Sequence, residues 1–411
     1  MKINKHCFSN GLRLVHHEDT STQMVALNIV YDVGARDEHP EHTGFAHLFE
    51  HLMFGGSAHI PDYDTPLQLA GGENNAWTNN DITNYYLTVP KPNVETAFWL
   101  ESDRMLELAF SEQSLEVQRG VVMEEFKQRC LNQPYGDVGH LLRPLAFRVH
   151  PYRWPTIGKE LSHIEQATLD EVKSFFYRFY APNNAVLAVT GNISWDETVR
   201  LTEKWFAAIP RRDVPVRRLP QEPEQTQERR LTVERNVPLD ALFMGYHMCS
   251  RESADYYAFD ILSDILSNGR SSRLNRRLVQ EQNIFSGIDA YISGTRDAGL
   301  LQISGKPAAG VSLEQAEAAV RKELEELRQS PVGEQELEKV KNKFESTQIF
   351  GNINYLNVAT NLAWFELTGK AEDIDLEVER YRSVTTEQLY TVAQRSFCEN
   401  NTVVLYYKSD K

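Results

Sequence analysis

A repeated pattern divides the 411-residue chain into two similar halves. In the first half, Thr168 opens a stretch with helical periodicity, which runs into Asn183-Asn184 and then into an apolar segment. In the second half, Thr385 opens a stretch of the same length, again followed by two asparagines and an apolar segment, 217 positions later. A constant offset over about 20 residues is typical of duplication. The pattern therefore predicts two related domains.

A charged stretch separates the two halves. Residues 213–230 contain three prolines and no aromatic residue, which is typical of an exposed connector. We therefore expect an N-terminal domain at residues 1–212, a linker at residues 213–230 and a C-terminal domain at residues 231–411.

Strands and helices are predicted in clusters rather than in strict alternation. Met24–Tyr31 and Ile82–Val89 have the apolar pattern of strands. Leu313–Arg328 and Glu334–Phe350 have the periodicity of amphipathic helices. These patterns indicate an α+β fold with two homologous domains, each a mostly antiparallel sheet with helices packed on one face.

The charge and the cysteines limit the classes of function. The formal net charge of −15 disfavours a protein that binds nucleic acids by neutralising phosphates, or one that binds anionic membranes. The four cysteines form no CxxC pair, and no apolar run reaches the roughly 20 residues of a membrane span. No secretory signal is recognised. We therefore expect a reduced, cytoplasmic protein with no nucleic-acid or membrane partner.

The segment at residues 43–56 carries the pattern that most favours a catalytic role. It predicts one buried helix with Thr43 as its N-cap. Its ionisable residues, His47, Glu50 and His51, lie at positions i, i+3 and i+4 and so share one face. Burying two imidazoles and a carboxylate costs free energy unless they have a specific partner.

A metal ion removes this cost. Two histidines one turn apart can bind one zinc ion through neutral imidazole nitrogens, and Glu50 is placed to take a proton from water at the metal. HxxEH is the inverted counterpart of the HExxH motif of zinc peptidases. The alternative is a pair of core histidines with Glu50 as their counter-ion, which requires every buried charge to be paired.

A catalytic zinc site needs a third protein ligand. The helical stretch Ser114–Arg129 offers Glu116, Glu124 and Glu125 as candidates. Residue type alone does not choose among them, because an acidic helix is usually a solvated face.

Several further motifs accompany the HxxEH helix. They are Gly34–Glu38, Gly71-Gly72, Asn75-Ala76-x-Thr78, Arg119-Gly-Val-Val-Met-Glu124-Glu125, His150–Gly158 and Gly269–Leu274. With these motifs the whole chain resembles the pitrilysin/insulinase family of zinc metallopeptidases. It is most similar to the short-chain branch, which includes mitochondrial processing peptidase subunits and bacterial homologues.

The resemblance implies a set of site residues. It assigns the third zinc ligand to Glu125, 74 positions after His51, and leaves Glu124 on the surface. With His47, these residues would bind Zn²⁺, and Glu50 would act as the general base.

The resemblance also suggests where a peptide substrate binds. Asn75 and Ala76 are expected on or beside an edge strand, to which an extended peptide can add by backbone pairing. A simple turn at Asn74-Asn75 is the alternative.

Two features depart from the family pattern. Many relatives have a glutamate two turns before the third ligand, where this chain has Gln118. The family's second domain often supplies an Arg and a Tyr that hold the substrate carbonyl, but the aligned residues here are Leu278 and Phe285, which cannot donate hydrogen bonds. Arg277 or Tyr291 could substitute. Otherwise, a paralogous partner subunit in a heterodimer would supply the pair, and a homodimer is the alternative assembly.

The second half contains a counterpart of the HxxEH helix at residues 259–269. Asp260, Ser263 and Asp264 occupy the positions equivalent to the two histidines and the glutamate of the HxxEH helix. Because carboxylates without imidazole are weak zinc ligands, the C-terminal domain is expected to lack a metal site.

Together these features predict a zinc-dependent endopeptidase that hydrolyses peptides or small unfolded polypeptides inside a dimeric chamber. The alternative is a non-catalytic, peptide-binding or chaperone-like subunit with a structural zinc. The presence of Glu50 argues against that alternative, since a structural zinc site needs no base.

Overall fold

The computed structural model describes residues 1–410, and these residues form two compact units. Unit 1 comprises Met1–Lys127, Trp154–Leu219 and Gln348–Glu377. Unit 2 comprises Gln128–Arg153, Pro220–Thr347 and the described residues from Val378 onward. The units therefore differ from the predicted division along the sequence in two segments. Residues 128–153 of the first half belong to unit 2, and residues 348–377 of the second half belong to unit 1.

The described residues contain eleven β-strands and fourteen α-helices. The strands are β1 (Asn4–Cys7), β2 (Arg13–Glu18), β3 (Met24–Tyr31), β4 (Glu73–Thr78), β5 (Thr83–Pro90), β6 (Ala185–Gly191), β7 (Arg229–Arg235), β8 (Ala241–His247), β9 (Phe285–Ile292), β10 (Leu300–Pro307) and β11 (Thr402–Ser409). The helices are α1 (Phe45–Leu52), α2 (Asp64–Leu69), α3 (Val94–Leu106), α4 (Glu112–Phe126), α5 (Val138–Ala146), α6 (Leu161–Glu165), α7 (Leu169–Phe179), α8 (Trp195–Phe206), α9 (Tyr256–Ser267), α10 (Leu313–Gln329), α11 (Glu334–Gly351), α12 (Tyr355–Thr368), α13 (Glu377–Ser383) and α14 (Thr386–Ser396). Two π-helical stretches cover Lys127–Leu131 and Leu274–Glu281. No helix within this part of the chain is long and apolar enough to cross a membrane.

The elements predicted from periodicity are confirmed. Strand β3 has the predicted bounds, and β5 begins and ends one residue later than the predicted strand. Helices α10 and α11 each extend one residue further than predicted. Helix α10 begins where Ser312 accepts a hydrogen bond from the backbone amide of Gln315, which is the capping-box arrangement.

The two sheets have the same strand order apart from one extra edge strand. The sheet of unit 1 runs β1-β2-β6-β3-β5-β4, and the sheet of unit 2 runs β7-β11-β8-β10-β9. In unit 1 only β2 and β6 are parallel neighbours, and in unit 2 only β7 and β11 are. The mostly antiparallel α+β fold with two homologous domains is therefore confirmed, as the internal repeat predicts.

Both faces of each sheet are covered. In unit 1, helices α1, α3, α7 and α8 contribute to the core on one face, and α12 packs against the other. In unit 2, helices α9, α10 and α14 pack on one face, and α5 covers the opposite face. The predicted layer of helices is present, and each unit has one additional covering helix.

These covering helices account for the exchanged segments. Helix α5 comes from the first half of the sequence but covers the sheet of unit 2, whereas α12 comes from the second half and covers the sheet of unit 1. Their first residues, Val138 and Tyr355, are 217 positions apart, the offset of the internal repeat. The exchange is therefore reciprocal between equivalent helices.

The predicted connector is irregular but anchored. Residues 211–226 form no helix or strand, and β7 begins at Arg229, inside the predicted linker. Arg217 nevertheless forms ion pairs with Asp37 (2.6 Å) and Asp32 (3.2 Å) of unit 1. Because the side chain of Arg217 is only 26% exposed, this part of the connector packs against unit 1.

Candidate metal centre

A buried carboxylate organises the start of helix α1. Glu38 accepts hydrogen bonds from the backbone amides of Gly44 (2.9 Å) and Ala46 (2.8 Å). These bonds satisfy amides that have no partner within the helix. Burial raises the pKa of Glu38 to about 8, although the two amide bonds oppose that rise. Glu38 therefore fixes the first turn of the helix that carries the HxxEH motif.

The predicted N-cap Thr43 is wrong. Gly44 occupies the N-cap position with a φ of 89°, a left-handed conformation that glycine adopts readily. The hydroxyl of Thr43 instead lies 2.8 Å from His163 Nδ1 and accepts a hydrogen bond from the backbone amide of Lys159. Thr43 therefore holds the loop around residue 159 rather than capping α1.

Helices α1 and α4 bring three predicted ligands together. Glu125 Oε2 lies 3.4 Å from His47 Nε2 and 3.3 Å from His51 Nε2. One ligand atom from each of the three residues lies within 4.8 Å of the others. His47 is buried, whereas His51 and Glu125 are partly exposed. The histidine rings are nearly perpendicular, with centroids 5.0 Å apart.

This donor set fits a zinc ion. Zinc binds imidazole nitrogen and carboxylate oxygen at about 2.0–2.2 Å with tetrahedral geometry, so two ligand atoms on one ion are about 3.3–3.6 Å apart. The two separations from Glu125 Oε2, 3.4 Å and 3.3 Å, lie within that range. Two histidines and one glutamate also leave a fourth position open, as a catalytic zinc site requires.

The other two acidic candidates on α4 lie away from the histidines. Glu124 has a 57% exposed side chain and lies 3.8 Å from Lys127. Glu116 is 73% exposed and pairs with Arg119. Of the three glutamates that the residue pattern left open, Glu125 alone joins the histidine pair within the described residues.

Glu50 lies on the same short helix as the two histidines and is partly exposed. Two buried tyrosines, Tyr85 and Tyr180, lie near enough for its charge to act on them. Burial is the main cause of the raised pKa of each tyrosine, and the negative charge of Glu50 adds to it. Tyr85 also donates a hydrogen bond of 3.0 Å to the backbone oxygen of Phe49 in α1.

The substrate-binding candidates lie on an edge strand. Asn75 and Ala76 are in the middle of β4, which ends the sheet of unit 1 and pairs only with β5 among the described strands. The expected edge strand is confirmed, and the alternative of a simple turn is wrong. Thr78 at the end of β4 donates a hydrogen bond of 3.5 Å to the backbone oxygen of Ala46. The edge strand therefore runs beside the HxxEH helix.

Gln118 lies two turns before Glu125 on α4 and is partly buried. A Cβ atom added to Gly55 would lie 3.7 Å from Gln118 Nε2, so the amide is close to the end of α1. A neutral amide therefore occupies the position where the family resemblance implies a carboxylate.

The candidate carbonyl-binding positions in unit 2 are occupied by core residues. Leu278 and Phe285 are fully buried in its main apolar cluster. Arg277 pairs with Glu323 and Glu326 on α10. Tyr291 lies on edge strand β9, with 48% of its surface exposed.

Helix α9, the counterpart of α1, forms no metal cluster. Tyr381 donates a hydrogen bond to Asp260, and Asn268 donates one to Asp264. Within residues 1–410, only His47, His51 and Glu125 form a group of three or more potential metal ligands.

Sequence reasoning missed the role of Glu38. The residue lies in the Gly34–Glu38 motif. Because it precedes α1 by several residues, the pattern did not predict that its side chain accepts hydrogen bonds from the start of that helix. An acidic residue six positions before a glycine that starts a helix is the signal that could have indicated it.

Two sequence-family models match most of the chain. The model described as "Insulinase (Peptidase family M16)" matches residues 13–158, and the model described as "Peptidase M16 inactive domain" matches residues 166–344. The first region contains His47, Glu50, His51 and Glu125. The second contains Leu278 and Phe285 and the helix with aspartates in place of histidines.

Similar proteins cover nearly the full length of the chain. The "Zinc protease PqqE" of Helicobacter pylori is 26% identical over 97% of this chain and 91% of its own length. The "Uncharacterized zinc protease YmxG" of Bacillus subtilis is 25% identical over 98% of each chain. The crystal structure of a protease from Helicobacter pylori has a TM-score of 0.94, 26% identity and 99% coverage of both chains.

Proposed function

The chain belongs to the insulinase family of peptidases, peptidase family M16, and we propose that it is a zinc-dependent endopeptidase. The observation that carries this proposal is the convergence of His47, His51 and Glu125 on one point, with Glu50 on the same helix as the histidines. The relatives named zinc proteases support the choice of metal.

Each residue of the site has a defined task. His47, His51 and Glu125 hold the zinc ion, which when bound polarises the scissile carbonyl and lowers the pKa of water. Glu50 takes a proton from the attacking water and passes it to the leaving amine nitrogen. Tyr85 supports α1 by its hydrogen bond to Phe49.

The edge of β4 provides a place for an extended peptide. Backbone pairing with the strand segment that contains Asn75 and Ala76 would give affinity without strict sequence preference. Such binding favours peptides and small unfolded polypeptides, because a folded protein does not present a free extended segment. The proximity of β4 to α1 supports this arrangement.

We also propose that the active enzyme is a dimer with a peptide-processing chamber. Leu278 and Phe285 are buried and cannot donate hydrogen bonds to a substrate carbonyl. Arg277 is held by two glutamates of α10. In a heterodimer, a paralogous partner subunit would supply the Arg and Tyr that these positions lack. A homodimer, in which both copies have Leu278 and Phe285, is the alternative assembly. The cytoplasmic location stays a prediction.

Cleavage of a mixed peptide library by the purified chain tests the proposal. We expect stoichiometric zinc, cleavage that a chelator abolishes, and loss of at least about 100-fold of the activity in Glu50→Gln, the usual contribution of a general base. The matched control is Glu124→Gln, which changes an exposed carboxylate on the neighbouring helix and should retain full activity.

Two outcomes would contradict the proposal. Unchanged cleavage by Glu50→Gln would exclude the assigned base. Zinc binding without cleavage, both alone and with a partner subunit that carries an Arg/Tyr pair, would favour the non-catalytic alternative.

A further inference from the structure

Unit 2 contains a surface cavity that the proposed peptidase site does not use. Its volume is about 430 Å³, which lies within the range of ligand sites. The residues that matter for its chemistry are Glu224, Gln225, Asp255, Arg395, Cys398 and Asn400. The cavity lies between the segment that leads into β7 and the turn that joins α14 to β11.

Unit 1 has an equivalent corner with the same hydrogen bonds. Asn184 donates hydrogen bonds to the backbone oxygens of Phe179 (2.8 Å) and Asp32 (3.1 Å). Asn401 in unit 2 donates to the backbone oxygens of Ser396 (2.9 Å) and His247 (3.0 Å). Both asparagines follow a helix and precede a buried strand. The two corners therefore have equivalent hydrogen bonds.

In unit 1 this corner is filled by a segment of the chain itself. The side chain of Asn183 donates to the backbone oxygen of Arg212 and accepts from its backbone amide, each at 3.0 Å. On the other side, Asn10 donates to the backbone oxygen of Ile209. The segment Ile209–Arg212 therefore runs between the loop before β2 and the turn before β6. Asn183 bonds to both the backbone oxygen and the backbone amide of Arg212.

In unit 2 the same place is the cavity. Asn400 is the counterpart of Asn183, lines the cavity and is exposed. Gln225 lies four residues before β7 and also lines the cavity, and its amide group donates to the backbone oxygen of Thr402. Among residues 1–410, no segment bonds to the Asn400 side chain as Arg212 bonds to Asn183.

The charges at the cavity favour a basic ligand. Glu224 is exposed at the wall, and Asp255 is paired with Arg395 at 2.8 Å. Two carboxylates and one guanidinium leave the wall with a net negative charge. The chain as a whole carries a net charge of −15, which also attracts cations. In the filled corner of unit 1, Asn183 bonds only to the backbone of Arg212, whose guanidinium donates to the backbone oxygens of Tyr180, Met105 and Leu106.

We propose that this cavity is a docking site for an extended, arginine-containing segment of another protein chain, with Asn400 bonded to the segment's backbone. The model for the occupant is the segment that fills the equivalent corner of unit 1. Two backbone hydrogen bonds from one asparagine fix the position of the segment, and Glu224 favours a basic side chain. The site is independent of the zinc-dependent chemistry proposed above.

A synthetic peptide with the sequence of Ile209–Arg217, capped at both ends and labelled with a fluorophore, provides the probe. Its affinity is measured by fluorescence anisotropy on the full-length Glu50→Gln protein, so that cleavage cannot consume it. We expect saturable binding that Asn400→Ala weakens about tenfold, since each lost hydrogen bond costs a factor of a few. The matched control is Asn352→Ala, which changes an exposed asparagine outside the cavity.

The native cysteines give a second readout at the cavity itself. Cys249 and Cys398 line it, whereas Cys7 is exposed elsewhere on unit 1. Bound peptide should slow iodoacetamide alkylation of Cys398 several-fold and leave Cys7 unchanged. Absence of saturable binding at millimolar peptide, equal affinity in Asn400→Ala, or equal protection of Cys7 would each overturn the proposal.

Discussion

The carboxylate of Glu38 accepts a 2.8 Å hydrogen bond from the backbone amide of Ala46, the residue immediately before His47. This contact links the loop at residues 34–38 to the proposed metal centre. The neighbouring residue, Asp37, is held in turn by Arg217 of the connector. The position of the HxxEH helix therefore depends on a series of polar contacts that extends to the segment between the two halves of the sequence.

Removal of the Glu38 carboxylate should loosen the first turn of α1. We expect Glu38→Ala to lower the free energy of unfolding by about 1–2 kcal/mol, the usual cost of losing a helix cap. It should also weaken zinc binding, because His47 follows the second capped amide. Chemical denaturation and zinc titration measure the two effects. Glu41→Ala, which removes an exposed glutamate nearby, should change neither quantity.

The raised pKa of Glu38 predicts a pH-dependent contribution to stability. The pKa rises from 4.5 to about 8 on folding, so between these values the folded state holds a proton that the unfolded state has released. Stability from this group is therefore complete below about pH 4.5 and falls as the pH rises toward 8. The Glu38→Gln variant, which stays neutral, should gain stability relative to the parent across this interval.

This comparison is made on zinc-free protein, so that titration of the metal ligands does not contribute. Asp37, whose pKa is also raised by burial and whose charge adds to the raised pKa of Glu38, is present in both proteins. A constant difference in unfolding free energy between pH 5 and pH 8 would contradict the prediction.

Glu125 and Glu124 are adjacent in sequence but should differ in their effect on metal binding. We expect Glu125→Gln to weaken zinc binding at least tenfold, because a neutral amide replaces the only carboxylate of the ligand set. Glu124→Gln should bind zinc as the parent does, since its side chain is exposed. Zinc content after dialysis against a weak chelator measures both. Equal retention by the two variants would exclude Glu125 as a ligand.

The connector arginines provide a matched pair. Arg217 pairs with Asp37 and Asp32, whereas the next residue, Arg218, is exposed. Arg217→Ala removes the ion pairs of Arg217 with Asp37 and Asp32, although Asp32 keeps its pair with Arg36, so we expect a loss of about 1–3 kcal/mol in unfolding free energy. Arg218→Ala should cost less than about 0.5 kcal/mol, as for most surface substitutions. Equal effects would show that the ion pairs of Arg217 contribute no stability.

Local patterns were sufficient to predict much of the fold and the site. The apolar run Met24–Tyr31 gives β3 directly, and the spacing of His47, Glu50 and His51 places all three on α1. Periodicity reports which residues face a core, and so it identifies elements and shared faces. The choice of Glu125 over Glu124 required the family resemblance, because helical spacing alone does not show which face of α4 meets α1.

Contacts between distant segments were the part that sequence patterns did not predict. Thr43 has the residue type of an N-cap, but Gly44 occupies that position, and Glu38 accepts hydrogen bonds from the amides of Gly44 and Ala46 at the start of α1. The exchange of α5 and α12 was also not predicted, because an amphipathic helix does not specify which of two similar sheets it will cover.

The exchange itself predicts which unit a mutation in α12 destabilises. Leu362 is fully buried between α12 and the sheet of unit 1. Leu362→Ala should cost about 2–5 kcal/mol through lost burial and the remaining cavity. The matched control is Leu376→Ala, since Leu376 is 42% exposed.

Hydrogen exchange locates the effect of Leu362→Ala. Because α12 covers the sheet of unit 1, amides of β3 and β6 should lose protection in the variant. Amides of β8 and β11, whose sheet is covered by α5, should lose less. If α12 belonged with the half of the sequence that encodes it, the order of these two effects would be reversed.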